Sequence, residues 1–352
     1  IIDIIERLKA HTTKGQIWIA THSIPLLSYF DPNCIWFVED GQVSHAGKIP
    51  EKVLQSLLGD ENRIAKLQDF TGLPGLMALN RHAFESLFHP DAVTTDKSDP
   101  QPLQIREEIK QHLKENMRIR VLDYGVGKGR LLSNILENST EPIESFREWF
   151  DYIAFDKFNT DAIECKSVIK KLYENSDERY FNDWSKLLGV YDKESFDIVI
   201  MCNVLHELDP NEWIDILGNR IPELLSEKGI LLLVEDHEMP IGEKAYQKGF
   251  IVLDTADLKD LFKIKESDKD FGFSDARGDG RLKAHRIPKR CLKNITQETK
   301  RAALQNIRQH AMDKIIEIRE GAIDYKNGKR HGFWIQQLAN TTLALREQIK
   351  ES

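Results

Sequence analysis

Twelve consecutive residues, Val121 to Leu132, constrain this chain more than any others. Val121-Leu122-Asp123-Tyr124 reads as a buried strand, Gly125-Val126-Gly127-Lys128-Gly129 follows at once, and Arg130-Leu131-Leu132 opens an apolar-faced helix. A strand that runs through alternating glycines into a helix is the first half of a parallel α/β unit. Glycine lets the backbone turn sharply and lets a ligand approach where a Cβ would stand in the way. No Lys-Ser or Lys-Thr pair follows the turn, which excludes a Walker A phosphate loop. The third glycine also comes one residue earlier than in the GxGxxG dinucleotide fingerprint.

The pattern around this turn is regular. Helix 105–115 leads to strand 119–124 and helix 130–138; strand 152–156, helix 160–174 and a short strand near 179–181 follow. Strand 196–202, helix 211–225 ending near Lys228-Gly229, and strand 230–235 continue the alternation. Nearly continuous apolar strands between helices predict a parallel sheet covered on both faces. Strands near 262–266 and 281–287 predict an antiparallel pair at its edge. Beyond Pro288 the pattern is helical, with an amphipathic segment over 296–319, a loop at Gly328 and a last helix from Gly332 to Ile349. Upstream, residues 1–58 read helix, strand, helix, strand, helix, with strands at Gln16–Ala20 and Cys34–Val38 and a turn at Asp40-Gly41 returning Gln42-Val43-Ser44 as a hairpin. Residues 59–104 are broken by Gly72, Pro74, Gly75, Pro90 and Pro100 and read as a linker, with one short helix over Arg81–Phe88. The expected organisation is therefore 1–58, a 59–104 linker, 105–290 as the sheet domain, and 291–352 as a helical extension.

Composition narrows the class. With 352 residues, a net charge of −8 and 41% hydrophobic residues, the chain has room for two or three packed domains without staples. No stretch reaches eighteen apolar residues, so no spanning helix and no membrane partner is expected. The four cysteines, Cys34, Cys165, Cys202 and Cys291, form no CxxC pair, which excludes a Cys-rich zinc site and fits a reducing, cytoplasmic setting. The histidines form no HExxH pair, so no metal centre is expected. Charge is uneven: Arg281 to His331 holds fourteen Lys or Arg against five Asp or Glu, a local +9. That tract could face nucleic acid or another acidic partner, the acidic remainder of the chain, or simply solvent.

At Asp123 and Gly125-Val126-Gly127-Lys128-Gly129 the sequence resembles the first motif of class I S-adenosylmethionine-dependent methyltransferases. The resemblance continues in order over about 105–290. It implies a Rossmann-like doubly wound sheet with an antiparallel edge pair, and S-adenosylmethionine as cofactor. Asp123 would meet the amino or sulfonium end of the ligand, or else cap the turn. Gly125, Gly127 and Gly129 would form its cradle. Asp156, closing Tyr152-Ile153-Ala154-Phe155-Asp156, would hold the ribose hydroxyls, unless it only caps a helix; a carboxylate suits a diol because it accepts two hydrogen bonds. Asp183 and Trp184, in Asn182-Asp183-Trp184, resemble the adenine-facing segment, with a turn residue as the alternative for Asp183. Cys202-Asn203-Val204-Leu205-His206-Glu207-Leu208 resembles the fourth-strand exit, which places Asn203 beside the methionine moiety.

Methyl transfer from a sulfonium needs no metal, and it needs a base only where the acceptor must lose a proton. His206 and Glu207 are the catalytic candidates, with a structural hydrogen bond as the alternative for His206. Glu235, Asp236 and His237 form a second group after the next strand. Asn203-Val204-Leu205-His206 stands where nucleic-acid amino-methyltransferases carry Asn/Asp-Pro-Pro-Tyr/Phe, and no Pro-Cys nucleophile occurs there. The acceptor therefore stays open among oxygen, carboxylate, ring nitrogen and protein side chains. A non-catalytic, cofactor-binding sensor is the competing function.

Ile19-Ala20-Thr21-His22-Ser23 and Val38-Glu39-Asp40-Gly41-Gln42-Val43 resemble the last part of an ABC-type ATPase domain. In such domains the histidine at the place of His22 senses the nucleotide's γ-phosphate. The resemblance implies ATP and Mg only for a complete ATPase domain, homodimerisation through that part, and a fusion in which it regulates methyl transfer. No Walker A loop, signature motif or Walker B acid precedes Lys14, so ATP hydrolysis by this chain alone is not expected.

Overall fold

The computed structural model describes residues 2–12, 15–27, 29–30, 34–45, 53, 56–57, 99–113, 118–139, 142–237, 249–322 and 325–351. The chain divides into two compact units, Ile1–Leu79 and Asn80–Ser352.

In the first unit, α1 (Ile2–His11) and α2 (Ile24–Leu27) precede a two-stranded antiparallel hairpin. Its strands are β1 (Trp36–Glu39) and β2 (Gln42–His45), joined through Asp40 and Gly41, both at positive φ. The turn residues are therefore where the sequence puts them. The strand expected at Gln16–Ala20 is not formed: among the described residues it pairs with nothing, and Trp18 is 74% exposed. An apolar run makes a strand only where a neighbour satisfies its backbone, and among the described residues the hairpin pairs only with itself. The short helix expected over Arg81–Phe88, and most of the 59–104 linker, lie outside the described residues.

The second unit opens with α3 (Pro100–Leu113), which starts five residues before the expected helix. Then come β3 (Ile119–Tyr124), α4 (Arg130–Glu137), α5 (Ile143–Trp149), β4 (Phe150–Phe155), α6 (Ala162–Leu172), β5 (Tyr180–Phe181) and α7 (Trp184–Val190). After β6 (Phe196–Cys202), a single 3₁₀ turn over Leu205–Glu207 and a π-helical stretch over Ile214–Arg220 lead into α8 (Ile221–Leu224). The remaining elements are β7 (Leu225–Asp236), α9 (Thr255–Leu261), β8 (Gly272–Asp275), β9 (Leu282–Pro288), α10 (Lys289–Leu292), α11 (Gln297–Glu320) and α12 (Tyr325–Glu351).

Seven strands form one sheet in the order β5-β4-β3-β6-β7-β9-β8. β5, β4, β3, β6 and β7 are parallel, while β9 runs antiparallel to both β7 and β8. This is the expected mixed, Rossmann-like sheet with its antiparallel edge. The edge pair differs in one member: residues 262–266 are the end of α9 and a turn, and the outer strand is Gly272–Asp275. Leu258, Leu261 and Phe262 are buried at helical spacing behind a capping box of Asp254 and Asp257, which favours helix there. β7 also starts earlier than expected, passing through Lys228-Gly229 instead of turning there.

Side chains alternate across the sheet, as a period of two requires. Leu122, Val199, Met201, Leu231 and Leu233 face one layer with Leu258, Leu261, Ala303, Leu304 and Ile307. Val121, Ile198, Ile200, Leu232 and Val234 face the other with Ile105, Ile109, Leu131 and Ile169. On the buried edge of β4, Asp151 accepts from Arg120 and Arg179, each at 2.8 Å. Burial opposes ionisation of that carboxylate, but the two guanidinium hydrogen bonds outweigh it and hold its pKa below the usual value. The last helix does not break at Gly328 or start at Gly332; α12 runs through both. Each glycine costs about 1 kcal/mol in a helix interior, a cost opposed by the burial of Phe333, Ala344 and Leu345 on the same helix.

Candidate functional site

The parallel strands β3, β4 and β6 end together, and the candidate site is built on those ends. Gly125, Gly127 and Gly129 all have positive φ, at 78°, 51° and 80°. Gly125 N and Val126 N both donate to Phe155 O, at 2.8 and 3.2 Å, so the turn folds over the end of β4. A Cβ on Gly125 would overlap the Val204 side chain, which comes from the exit of β6. The turn is thus pressed between two neighbouring strand ends, and only glycine fits there.

Asp156 closes β4 from the other side. Its Oδ1 accepts from Phe158 N at 2.8 Å and its Oδ2 accepts from Gly127 N at 2.9 Å. Burial raises its pKa although both backbone donors oppose the shift. Each oxygen keeps a second lone pair, so the carboxylate can still accept from a diol. Tyr124 and Phe155 stack at 5.0 Å, and Trp184 stands edge-on to Phe155 at 5.5 Å. Trp184 is therefore gathered beside the glycine turn. Asp183 is exposed and caps α7, its Oδ1 accepting from Lys186 N at 3.1 Å. Of its two sequence readings, the turn-and-cap role is the one its hydrogen bond performs.

Asp123 points into the opposite layer from Tyr124, following the strand alternation. It is 3% exposed and accepts from Tyr152 Oη at 2.6 Å. Burial lifts its pKa to about 6, with Tyr152 and Arg130 resisting. Asn203 sits in the left-handed region at φ 57°. Its carboxamide exchanges two 3.0 Å hydrogen bonds with that of Gln101 at the start of α3, and also accepts from Asp236 N at 3.2 Å. Arg130 donates to Gln101 Oε1 at 3.0 Å and to Cys202 Sγ at 3.3 Å. Sequence reasoning missed Gln101, Arg130 and Tyr152. Arg130 directly follows the glycine motif and was findable; Gln101 lies in a stretch that reads as linker.

His206 lies on the 3₁₀ turn after β6 and is 1% exposed. Its Nδ1 is 2.6 Å from Glu235 Oε2, and the other oxygen of Glu235 accepts from Leu205 N at 3.0 Å. A carboxylate only accepts, so in the neutral imidazole the proton sits on Nδ1 and the lone pair on Nε2. The acid that joins His206 is therefore Glu235, from the end of β7; Glu207 is half-buried on the same turn as His206 and is not the pair's carboxylate. The rest of the second group separates. Asp236 is held by Arg281 through bonds of 2.8 and 2.7 Å. His237 is buried 6.0 Å from the ring of His285, and desolvation lowers the pKa of both, that of His285 to about 3. His285 Nε2 is 2.8 Å from Thr255 Oγ1.

In the first unit, His22 is exposed on the stretch before α2. Among the described residues no cluster of His, Cys, Asp and Glu is placed to hold a metal ion, and no helix is long and apolar enough to cross a membrane. The basic tract spends much of its charge inside the domain. Lys283 pairs with Asp254, Arg286 with Glu108, Lys289 with Glu194 and Arg290 with Asp268.

No family model matches the chain, and no curated protein matches it. Several solved structures are similar in shape. The CurJ carbon methyltransferase is 17% identical, covering 73% of this chain and 76% of its own, with a TM-score of 0.39. The citrinin polyketide synthase CMeT domain is 14% identical over 72% and 74%, with a TM-score of 0.41. The Burkholderia thailandensis 1,6-didemethyltoxoflavin-N1-methyltransferase, solved with S-adenosylhomocysteine, is 15% identical over 63% and 88%, with a TM-score of 0.34. The fold is read from the strand order of the chain itself.

Proposed function

We propose that the second unit binds S-adenosylmethionine and catalyses methyl transfer to an acceptor that must lose a proton. The observation that carries the catalytic part is the 2.6 Å pairing of His206 Nδ1 with Glu235 at two adjacent strand ends. A buried imidazole oriented by a carboxylate is the arrangement of a general base, and such a base contributes about 10²–10⁴ in rate. His206 Nε2 takes the acceptor's proton; Glu235 holds the tautomer and stabilises the imidazolium that forms. Glu207 remains a second, weaker candidate on the same turn.

The residues present fit the cofactor. The turn at Gly125 is kept to bare backbone, since a Cβ there would run into Val204, and Asp156 presents a carboxylate beside it. Gly125, Gly127 and Gly129 would line the cofactor, Asp156 would accept from its ribose hydroxyls, and Trp184 would flank its base. Bound there, the cofactor supplies an electrophilic methyl group on sulfur. Asp123 and Asn203 stand behind this site, where Tyr152, Gln101 and Asp236 engage their polar atoms, and the Asp123 carboxylate would favour the cofactor's cationic end.

The first unit is read as part of an ABC-type ATPase lobe that regulates this activity. Its support is the motif resemblance around His22.

Calorimetric titration of the purified chain with S-adenosylmethionine and S-adenosylhomocysteine tests the central reading. Saturable binding of both is expected, weakened about tenfold or more in Asp156→Ala, which loses the diol's charged acceptor. Folded protein that binds neither would end the methyltransferase reading.

A further inference from the structure

Residues 250–253 form a strap without a strand partner among the described residues. Successive backbone groups of an extended chain point to opposite edges, and the two edges of this strap have different partners. On one edge, Val252 N donates to Gln337 Oε1 at 2.9 Å. On that same edge Phe250 O accepts from Gln337 Nε2 at 3.3 Å and from Asn340 Nδ2 at 2.7 Å. On the other edge, Ile251 N donates to the backbone carbonyl of His206 at 3.4 Å.

Two side-chain amides of α12 thus stand in for a neighbouring strand. Gln337 is 0% and Asn340 3% exposed. Carboxamides are rarely buried so fully unless they satisfy groups that water cannot reach. An apolar residue at 337 would pack α12 but leave Val252 N unpaired, and one at 340 would leave Phe250 O only its longer bond from Gln337. Gly249 opens the strap at φ 102°, and a Cβ there would overlap the Asn340 carboxamide. The ring of Phe250 stands edge-on to the imidazole of His206, with centroids 6.4 Å apart, and leans on Phe333 of α12 at 6.0 Å.

We infer that α12 positions the imidazole of His206. Gln337 and Asn340 clamp the strap; the strap then holds the backbone and ring face of His206 while Glu235 holds Nδ1. Gln337 and Asn340 are positioning residues, acting through Phe250 and Ile251. The purpose of the pair rests on the methyl-transfer reading, whereas its geometry does not.

Proton and ¹⁵N NMR of the full chain tests this. An Nδ1–H bonded to a carboxylate at 2.6 Å gives a resonance well downfield of the amides, identified by its loss in Glu235→Gln. Gln337→Leu and Asn340→Leu are expected to broaden or abolish that resonance and to speed amide exchange at Ile251 about tenfold or more. Gln337→Glu keeps an acceptor for Val252 N and is expected to retain the resonance. If either leucine variant fails to fold, Asn340→Ser, which withdraws the shorter of the two hydrogen bonds to Phe250 O at little cost in packing, carries the same expectations. A resonance that survives these substitutions overturns the inference, even if Ile251 exchanges faster, because α12 would then seal the strap without setting the imidazole. A wild-type spectrum lacking the resonance overturns it too. Titration of the wild type with S-adenosylmethionine judges the methyl-transfer reading separately, since the imidazole signal needs no cofactor.

Discussion

The two sides of the site are assembled over different lengths of chain. On the side proposed for the cofactor, Gly125, Gly127, Gly129 and Asp156 come from two neighbouring strand ends, and their hydrogen bonds run through backbone N–H groups. On the side proposed for proton transfer, His206, Glu235, Ile251 and Gln337 come from four separate segments, and side chains make most of the joins. The first side is a backbone shape, which a short motif can encode. The second is a coincidence of distant positions, which only the folded sheet brings about. One side should therefore fail through strain and the other through loss of orientation.

Opposed substitutions separate the two. Glu235→Gln is expected to lower methyl transfer to any accepted acceptor by about 10²–10⁴, with S-adenosylmethionine affinity changed less than about threefold. Gly125→Ala is expected to do the reverse. It forces an L-residue into the left-handed region, at about 1–2 kcal/mol, and drives its methyl into Val204. Affinity should fall about a hundredfold, while the downfield Nδ1–H resonance of His206 persists. Adding Val204→Ala relieves the overlap and not the φ cost, so it should recover only part of the loss. Equal loss of binding and of the resonance in both variants would show one rigid unit and end the comparison.

The same contrast explains what was legible in the sequence. β3 and β6 could be read to the residue, because a parallel strand buried on both faces leaves a nearly continuous apolar run. The glycine turn and Asp156 were legible because their chemistry is local. His206 and Glu235 could each be found as candidates, in two separate groups, but their pairing could not, because the two lie 29 positions apart and meet only across the sheet. Gln101, Gln337 and Asn340 carried no local signal: a polar residue on a helix reads as solvent-facing until a backbone group is found opposite it. Gln16–Ala20 erred the other way, since apolar content signals a strand but says nothing of whether a neighbour exists to pair with it.

Asp123 sharpens the comparison from the cofactor side. Its folded-state pKa is raised to about 6 from 3.8, chiefly by burial. Between those values the native state holds a proton that the unfolded state releases, so stability falls as pH rises through that window. Above pH 6 the whole penalty is present, on the order of 2–3 kcal/mol. Asp123→Asn keeps an acceptor for Tyr152 and removes the buried charge, so it should be more stable than wild type at pH 7.5 and close to it at pH 4. Urea unfolding at the two pH values measures this. Asp257, raised to about 7 mainly by burial, slopes the same way in both proteins, so the difference between them isolates Asp123. A carboxylate kept ionised at such a cost is what a site for a cationic ligand group would retain, and an unchanged difference across pH would remove that argument.

The smallest expected effect is at Asp183, where motif and geometry disagree. The motif places it against an adenine, while its carboxylate caps α7 through Lys186 N. Asp183→Ser keeps a capping oxygen and Asp183→Ala removes it, a difference of about 1 kcal/mol in stability. A capping role predicts that serine restores stability and that both variants bind S-adenosylmethionine within about twofold of wild type. An adenine contact predicts an equal loss of affinity in both, whatever happens to stability, because serine is too short to replace a carboxylate reaching for the base. Differential unfolding and calorimetry on the same two proteins decide between them. If adenine contact prevails, the cofactor side extends past its two strand ends and becomes as dispersed as the proton-transfer side.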